Sequence, residues 1–121
     1  MLNCLAVGAG GFIGAVLRYL ISLIPIKNPE SFPINTFIIN IIGAFAIGCI
    51  AFAVTKNENI DSRWLLFLKV GICGGFTTFS TFALETSDLI KSGSVAVALL
   101  YVAASVVLSV LAVTLPQLIF K

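Results

Sequence analysis

The chain has 121 residues, of which 60% are hydrophobic and 10% are charged, and its formal net charge is +2. This composition provides too little polar surface to cover a soluble globule of that size. The sequence contains no histidine and no paired nucleophile and base, so it shows no set of catalytic groups for nucleophilic or metal-assisted catalysis. We therefore expect a membrane protein that is not an enzyme.

Four apolar runs reach the length of about 20 residues that a membrane-spanning helix needs. They cover residues 3–25, 33–55, 64–90 and 94–120. The amino terminus has no positively charged region, and its apolar run exceeds the roughly 7–15 residues of a signal-peptide core, so we expect the first helix to be retained. The sequence predicts an all-α membrane protein, a single integral membrane domain over residues 1–121 with four transmembrane helices.

The first span carries small residues at helical spacing and one cation. Gly10–Gly14 and Gly11–Ala15 are pairs of small residues four apart, which allow another helix to approach closely. Arg18 follows about two-thirds of the way along the span, where a guanidinium is costly unless it snorkels, pairs or faces water. Both an interfacial arginine and a vestibule charge that attracts anions remain open.

The second span has one strongly polar interior side chain, Asn40. Its amide offers two N–H donors and one carbonyl acceptor where water is scarce. It can join helices by hydrogen bonds, or it can line a pore as a donor, and the residues alone do not decide between these roles.

The third span is interrupted by residues that disfavour a helix. Gly74 and Gly75 each lower helix propensity by about 1 kcal/mol, and Thr77 and Thr78 are β-branched. We predict a helix broken near Gly74–Thr78. Non-helical backbone at this depth is tolerated only where protein or a water-filled cavity provides hydrogen-bond partners for its N–H and C=O groups. The break is therefore either a site for an ion or a substrate, or a kink that serves helix packing.

Beyond the break, four polar side chains share one helical face: Thr78, Thr81, Glu85 and Asp88. Phe79 and Phe82 lie beside that face. Phenylalanines at this spacing are usually core, but the edge of a phenylalanine ring is the positive end of its quadrupole and can meet an anion. In the last span, Ser94, Ala98, Tyr101 and Ser105 align at helical spacing and can add hydroxyls to the same track.

Positive residues fall almost evenly on the two sides of the membrane. Lys56, Arg63, Lys69 and Lys121 lie on one side, and Arg18, Lys27 and Lys91 lie on the other. A bias of one charge is too small to set orientation firmly. Since four small helices make a poor pore alone, we predict a dual-topology, antiparallel homodimer.

Three segments resemble the signatures of a known family: GGFIGAVLRY in the first span, NIIGAFAIG in the second and GICGGFTTFSTF in the third. They are similar to those of the CrcB/Fluc fluoride channels, also called the camphor-resistance family. The resemblance covers nearly the whole chain. It implies a multi-pass protein of the microbial cell (inner) membrane that exports fluoride passively, as an antiparallel dimer with two pores and a structural Na⁺ at its centre.

The resemblance also implies roles for individual residues. Phe79 and Phe82 would be the ring edges of the pore, and Asn40 would be a pore amide donor. Ser80, Thr81 and Tyr101 would correspond to the polar track, Glu85 to a carboxylate near its end, and Arg18 to a vestibule arginine. The backbone carbonyls of Gly74 and Thr77 would hold the Na⁺.

Two other functions stay under consideration. A small proton-coupled exporter of cationic drugs has a similar length and topology, but it needs a carboxylate central in its first span, where this sequence has none. A purely structural helix-packing protein does not need Asn40, Glu85 and Arg18 inside apolar spans.

Overall fold

The structure, a computed structural model that describes residues 1–25 and 31–120, contains four helical segments long and apolar enough to cross a membrane. In chain order the elements are α1 (Leu2–Ser22), α2 (Ile34–Lys56), α3 (Ser62–Leu65), a π-helical segment (Leu66–Cys73), α4 (Gly74–Phe76), α5 (Phe79–Lys91) and α6 (Val95–Ile119). The third span runs over Ser62–Lys91. The predicted all-α architecture with four spanning helices is confirmed. Lys27 and Lys121, which count in the charge balance, and the loop residue Asn28 lie outside the described residues.

The helix ends follow local sequence signals. α1 ends at Ser22 rather than at residue 25, and α2 begins directly after Pro33. Between α5 and α6, Gly93 adopts a φ of +89°, a conformation that only glycine reaches without steric cost. The amide of Gly93 donates to the Ile90 carbonyl, and that of Ser94 donates to the Leu89 carbonyl, which closes α5 with a Schellman motif.

The third span is broken at its threonines and not at its glycines. Gly74 has helical dihedrals of −65° and −37°. Thr77 and Thr78 have extended ψ angles of 158° and 115°, respectively. The predicted break near Gly74–Thr78 is therefore confirmed at its threonine end, whereas Gly74 and Gly75, which were expected to contribute to it, are helical. β-branched threonines accept extended backbone readily, which accounts for the position of the break.

The glycines instead allow two backbones to touch. A Cβ atom built on Gly10 of α1 would collide with the Phe67 carbonyl of the π-helical segment. One built on Gly75 of α4 would lie 2.6 Å from the Gly11 carbonyl oxygen. Contact at this distance is possible only without a side chain, so these glycines bring α1 against the third span.

A second close crossing joins α2 to α6. A Cβ atom on Gly48 would collide with the Val113 carbonyl, so the two helices pack backbone to backbone there. The outer faces stay apolar and exposed, with at most 22% of any spanning window buried. A chain that is apolar all round in this way is suited to lipid and to other membrane-embedded protein.

Candidate functional site: the helix break and the cavity beside it

The break frees backbone groups that a continuous helix would pair. Once Thr77 and Thr78 leave the helix, the carbonyls of Gly74, Gly75 and Thr77 lose the amide donors four residues further along. In a membrane such groups must be satisfied by protein or by a water-filled cavity. Side chains from α1 and α2 meet part of this demand.

Asn40 of α2 binds the backbone on both sides of Thr78. The Thr78 amide donates to Asn40 Oδ1 at 2.8 Å, and Asn40 Nδ2 donates to the Thr78 carbonyl at 3.2 Å. Because only a carbonyl oxygen can accept from the Thr78 amide, this pairing also fixes which way the Asn40 carboxamide points. One N–H of Nδ2 is used, and the second remains for another acceptor. Asn40 therefore joins helices and still offers a donor.

Arg18 of α1 reaches the same region. Its Nε donates to the Gly75 carbonyl at 3.1 Å, so the guanidinium supplies one of the freed carbonyls with a charged donor. Arg18 was predicted to be either interfacial or a vestibule charge. In the structure it is half-buried and bound to the backbone just before the break.

Thr78 begins the helix that follows the break. Its Oγ1 accepts from the Thr81 amide at 3.2 Å, the bond expected of an N-cap residue. The Thr81 hydroxyl lies 3.1 Å from the Thr78 hydroxyl, and the Ser80 hydroxyl lies 3.4 Å from it. Three hydroxyls are thus grouped at the amino end of α5.

A cavity of about 440 Å³ runs beside the break, between α2, the third span and α6. It is lined mostly by apolar groups with a few polar ones: Asn40, Gly43, Ala44, Ile47, Lys69, Cys73, Gly74, Thr77, Thr78, Phe79, Phe82, Ser105, Val106, Ser109, Val110 and Val113. An apolar cavity with a small number of placed polar groups is typical of a binding site. The predicted site residues that line it are Asn40, Gly74, Thr77, Phe79 and Phe82.

Phe79 and Phe82 lie close together at one end of this cavity. Their ring centroids are 5.6 Å apart and the ring planes are tilted by 47°. Phe79 is 80% exposed in the isolated chain, which is unusual for a core phenylalanine. The Phe82 ring also lies 5.0 Å from the Tyr101 ring. Phe82 therefore connects the cavity to the next group of polar residues.

Glu85 lies at the centre of that group. Thr36 Oγ1 donates to Glu85 Oε2 at 3.1 Å, and the Tyr101 hydroxyl donates to Glu85 Oε1 at 3.0 Å. Both donors are buried. Each carboxylate oxygen therefore has a partner from a different helix, as a carboxylate inside a membrane protein requires. The predicted residues Arg18, Ser80, Thr81, Tyr101 and Glu85 do not line the cavity itself.

The structure adds residues that the sequence analysis left out of the site. Thr36 lies four residues before Asn40, and that helical spacing was the available signal. Ser105 is 8% exposed, and its hydroxyl has no hydrogen-bond partner within the described residues. Its alignment with Tyr101 was recognised, but nothing in the sequence marks a serine as unpaired. A buried hydroxyl without a partner is costly, which makes it a candidate for an unseen ligand or water.

Comparisons with known proteins match this chain over nearly its full length. A family model described as CrcB-like protein, Camphor Resistance (CrcB), matches residues 5–116. A protein of Ruminiclostridium cellulolyticum is 42% identical, with 100% of this chain and 94% of the relative covered. One from Chlorobaculum tepidum is 45% identical over 87% and 83%, and one from Clostridium perfringens is 48% identical over 78% and 75%. All three relatives carry the name fluoride-specific ion channel FluC.

Proposed function

Since this chain belongs to the CrcB-like, or camphor-resistance, family, we propose that it is a fluoride-selective ion channel which lowers cytoplasmic fluoride by passive efflux. It is a multi-pass membrane protein, and the inner membrane of a microbial cell is the location that fits this role. The observation that carries the proposal is the cavity beside the helix break, whose lining includes Asn40, Phe79 and Phe82.

The chemistry of the cavity suits a small, strongly hydrated anion. A conduit for fluoride has to replace water with N–H, O–H and positively polarised C–H groups while it binds weakly enough to release the ion. Asn40 has a spare N–H, the Ser105 hydroxyl has no partner in the part of the chain that the structure describes, and the two phenylalanines offer ring edges. No carboxylate lines the cavity within the described residues, so no negative side chain opposes an anion there.

The polar residues beyond Phe82 continue the path in this proposal. Ser80, Thr81 and Tyr101 form a polar track, and Glu85 is the carboxylate near its end. The ring contact between Phe82 and Tyr101 supports continuity between the cavity and this group. Arg18 contributes positive charge near the break while it holds the Gly75 carbonyl.

We further propose that two copies assemble as an antiparallel homodimer with two pores. The near balance of positive charge on the two sides of the membrane supports insertion in both orientations. The cavity of a single chain is open, and Phe79 at its edge is largely exposed, so a second copy is a suitable wall for it.

A structural Na⁺ at the dimer centre is part of the same proposal. The carbonyls of Gly74 and Thr77 lie at the break, where they have lost their helical donors. Backbone carbonyl oxygens are hard ligands and suit a hard cation better than a transition metal. A Cβ atom on Gly74 would meet nothing within 4 Å, which leaves room there for a ligand or a second chain. The cation would supply positive charge that holds the unpaired carbonyls of two broken helices together.

A proton-coupled exporter of cationic drugs is not favoured. Such a transporter needs a carboxylate in its first span, and α1 contains none. Release of fluoride from loaded liposomes, followed with a fluoride electrode, separates the alternatives. A channel gives rapid efflux without a proton gradient, an exporter requires the gradient, and a packing protein gives no release in either case.

A further inference from the structure

One charged side chain lines the cavity that the proposed function assigns to fluoride. Of the described residues around it, Lys69 alone carries a charge. It lies in the π-helical segment, four residues before Cys73 and eight before Thr77, and both of those residues also line the cavity. The cavity therefore follows one side of the third span from Lys69 to the break.

Lys69 marks the end of the cavity that is remote from Phe82. Ile47 and Val113, the lining residues furthest along α2 and α6, lie at this end. The two helices cross beside them, where Gly48 of α2 meets the Val113 backbone. A helical rise of about 1.5 Å per residue places Lys69 about 12 Å from Thr77 along the span, towards the loop that joins α2 to α3.

Other nearby cations have different surroundings. Arg18 donates to the Gly75 carbonyl and does not line the cavity. Lys56, at the end of α2, lies with its Nζ 5.5 Å from the centre of the Phe52 ring and does not line the cavity either. A lysine within a membrane span is costly unless it faces water, a partner or the interface. A water-filled cavity would satisfy Lys69 without an ion pair.

We propose that Lys69 is an anion-recruiting residue of this cavity, whose ammonium group concentrates fluoride at the end nearest the α2–α3 loop. A single-sign charge in a cleft with low-dielectric walls raises the local concentration of the opposite ion. The inference rests on the proposed function, because it concerns the route by which fluoride reaches Asn40 and the phenylalanine pair. Lys69 positions and attracts the ion and is not itself the selectivity element.

The test is initial fluoride efflux from liposomes at a fixed, subsaturating fluoride concentration, with ionic strength set by an impermeant salt. Lys69→Gln should lower the initial rate about two- to tenfold at low ionic strength, as expected for loss of one charge about 12 Å from the helix break. The deficit should shrink at about 1 M salt, where the screening length falls to about 3 Å. Lys69→Arg should keep the wild-type rate, and Lys56→Gln, the matched control, should not change it.

Two results would overturn the inference. Equal rates for wild type, Lys69→Gln and Lys56→Gln at low ionic strength would make Lys69 a snorkelling interfacial lysine. An equal loss in Lys69→Gln and Lys69→Arg at every salt concentration would indicate packing. If neither the wild type nor any variant releases fluoride, the proposed function fails and this inference fails with it. That outcome differs from the two above, in both of which the wild type releases fluoride.

Discussion

Asn40 and Thr78 hold each other by two hydrogen bonds, one from the Thr78 amide to Asn40 Oδ1 at 2.8 Å and one from Asn40 Nδ2 to the Thr78 carbonyl at 3.2 Å. The carboxamide thereby replaces the helical partners that the break removes. The same side chain lines the cavity and keeps one N–H for an acceptor. The sequence left helix joining and pore lining as alternatives for Asn40, and its position in the structure is compatible with both.

Substitution of Asn40 should separate these two roles. Asn40→Asp retains an acceptor for the Thr78 amide but replaces a donor with a negative charge, so we expect fluoride efflux to fall more than about tenfold because charge–anion repulsion is strong at short range. Asn40→Ala leaves both Thr78 groups unpaired, each at a cost of about 1–3 kcal/mol, and should lose more assembled protein. Efflux and size-exclusion chromatography measure the two effects. Wild-type efflux in a well-assembled Asn40→Asp protein would contradict the donor role.

The glycine crossing between α1 and the third span gives a prediction about stability. Gly10→Ala should lower the free energy of unfolding by about 1–3 kcal/mol, the usual cost of overpacking. The reason is that its new methyl group would meet backbone atoms of Phe67 and Gly71. Gly8→Ala on the same helix meets nothing within 4 Å and is the matched control. The fraction of assembled protein that survives heating, read by size-exclusion chromatography, compares them. Equal survival of the two variants would show that the helices separate at little cost.

Much of the architecture could be predicted from the sequence because apolar length alone identifies a membrane span. The break was predicted within Gly74–Thr78, but its restriction to Thr77 and Thr78 was not. Gly74 and Gly75 have low helix propensity, yet they stay helical because Gly75 is needed where α1 approaches, and tertiary contact overrides propensity. The π-helical segment Leu66–Cys73 was not predicted, since bonding to the fifth residue leaves no distinctive apolar spacing.

The candidate site was predictable where a residue type is rare in a membrane. Asn40, Arg18 and Glu85 stand out because polar groups are costly there. Their partners do not stand out: Thr36 and the Gly75 carbonyl are identified only when α1, α2 and the third span are packed together. In the sequence, Lys69 and Lys56 were counted together among the positive residues on one side of the membrane, and only the cavity lining distinguishes them.

Dual topology predicts that each loop of the chain is reached from both faces of the membrane. Asn28→Cys and Glu58→Cys, each in a background without Cys4, Cys49 and Cys73, should react with an impermeant thiol reagent added from either side. The near balance of positive charge is the physical reason. Full labelling after permeabilisation is the control. If each position reacts from one face only, the chain has a single orientation and the antiparallel dimer is excluded.

The proposed Na⁺ predicts a dependence of assembly on the cation present. Exchange of Na⁺ for a large organic cation throughout purification should reduce the dimer fraction and fluoride efflux, because the carbonyls of Gly74 and Thr77 would lose their positive partner. Return of Na⁺ should restore both, which controls for irreversible damage. If the dimer fraction and the efflux rate do not change when Na⁺ is exchanged, the proposed Na⁺ site is contradicted.

The central claim is that fluoride passes along the cavity beside the helix break, and the phenylalanine pair tests it most directly. Ile keeps apolar bulk but has no positive ring edge, and loss of an aromatic contact of about 0.5–1.5 kcal/mol should leave assembly largely intact. Fluoride efflux is measured beside size-exclusion behaviour for wild type, for the Phe79→Ile/Phe82→Ile double variant, and for Phe12→Ile, an exposed control on α1. We predict that the double variant assembles normally and releases fluoride at the rate of empty liposomes, while Phe12→Ile matches wild type. Wild-type efflux from a well-assembled double variant would contradict the account and leave both rings with a packing role only.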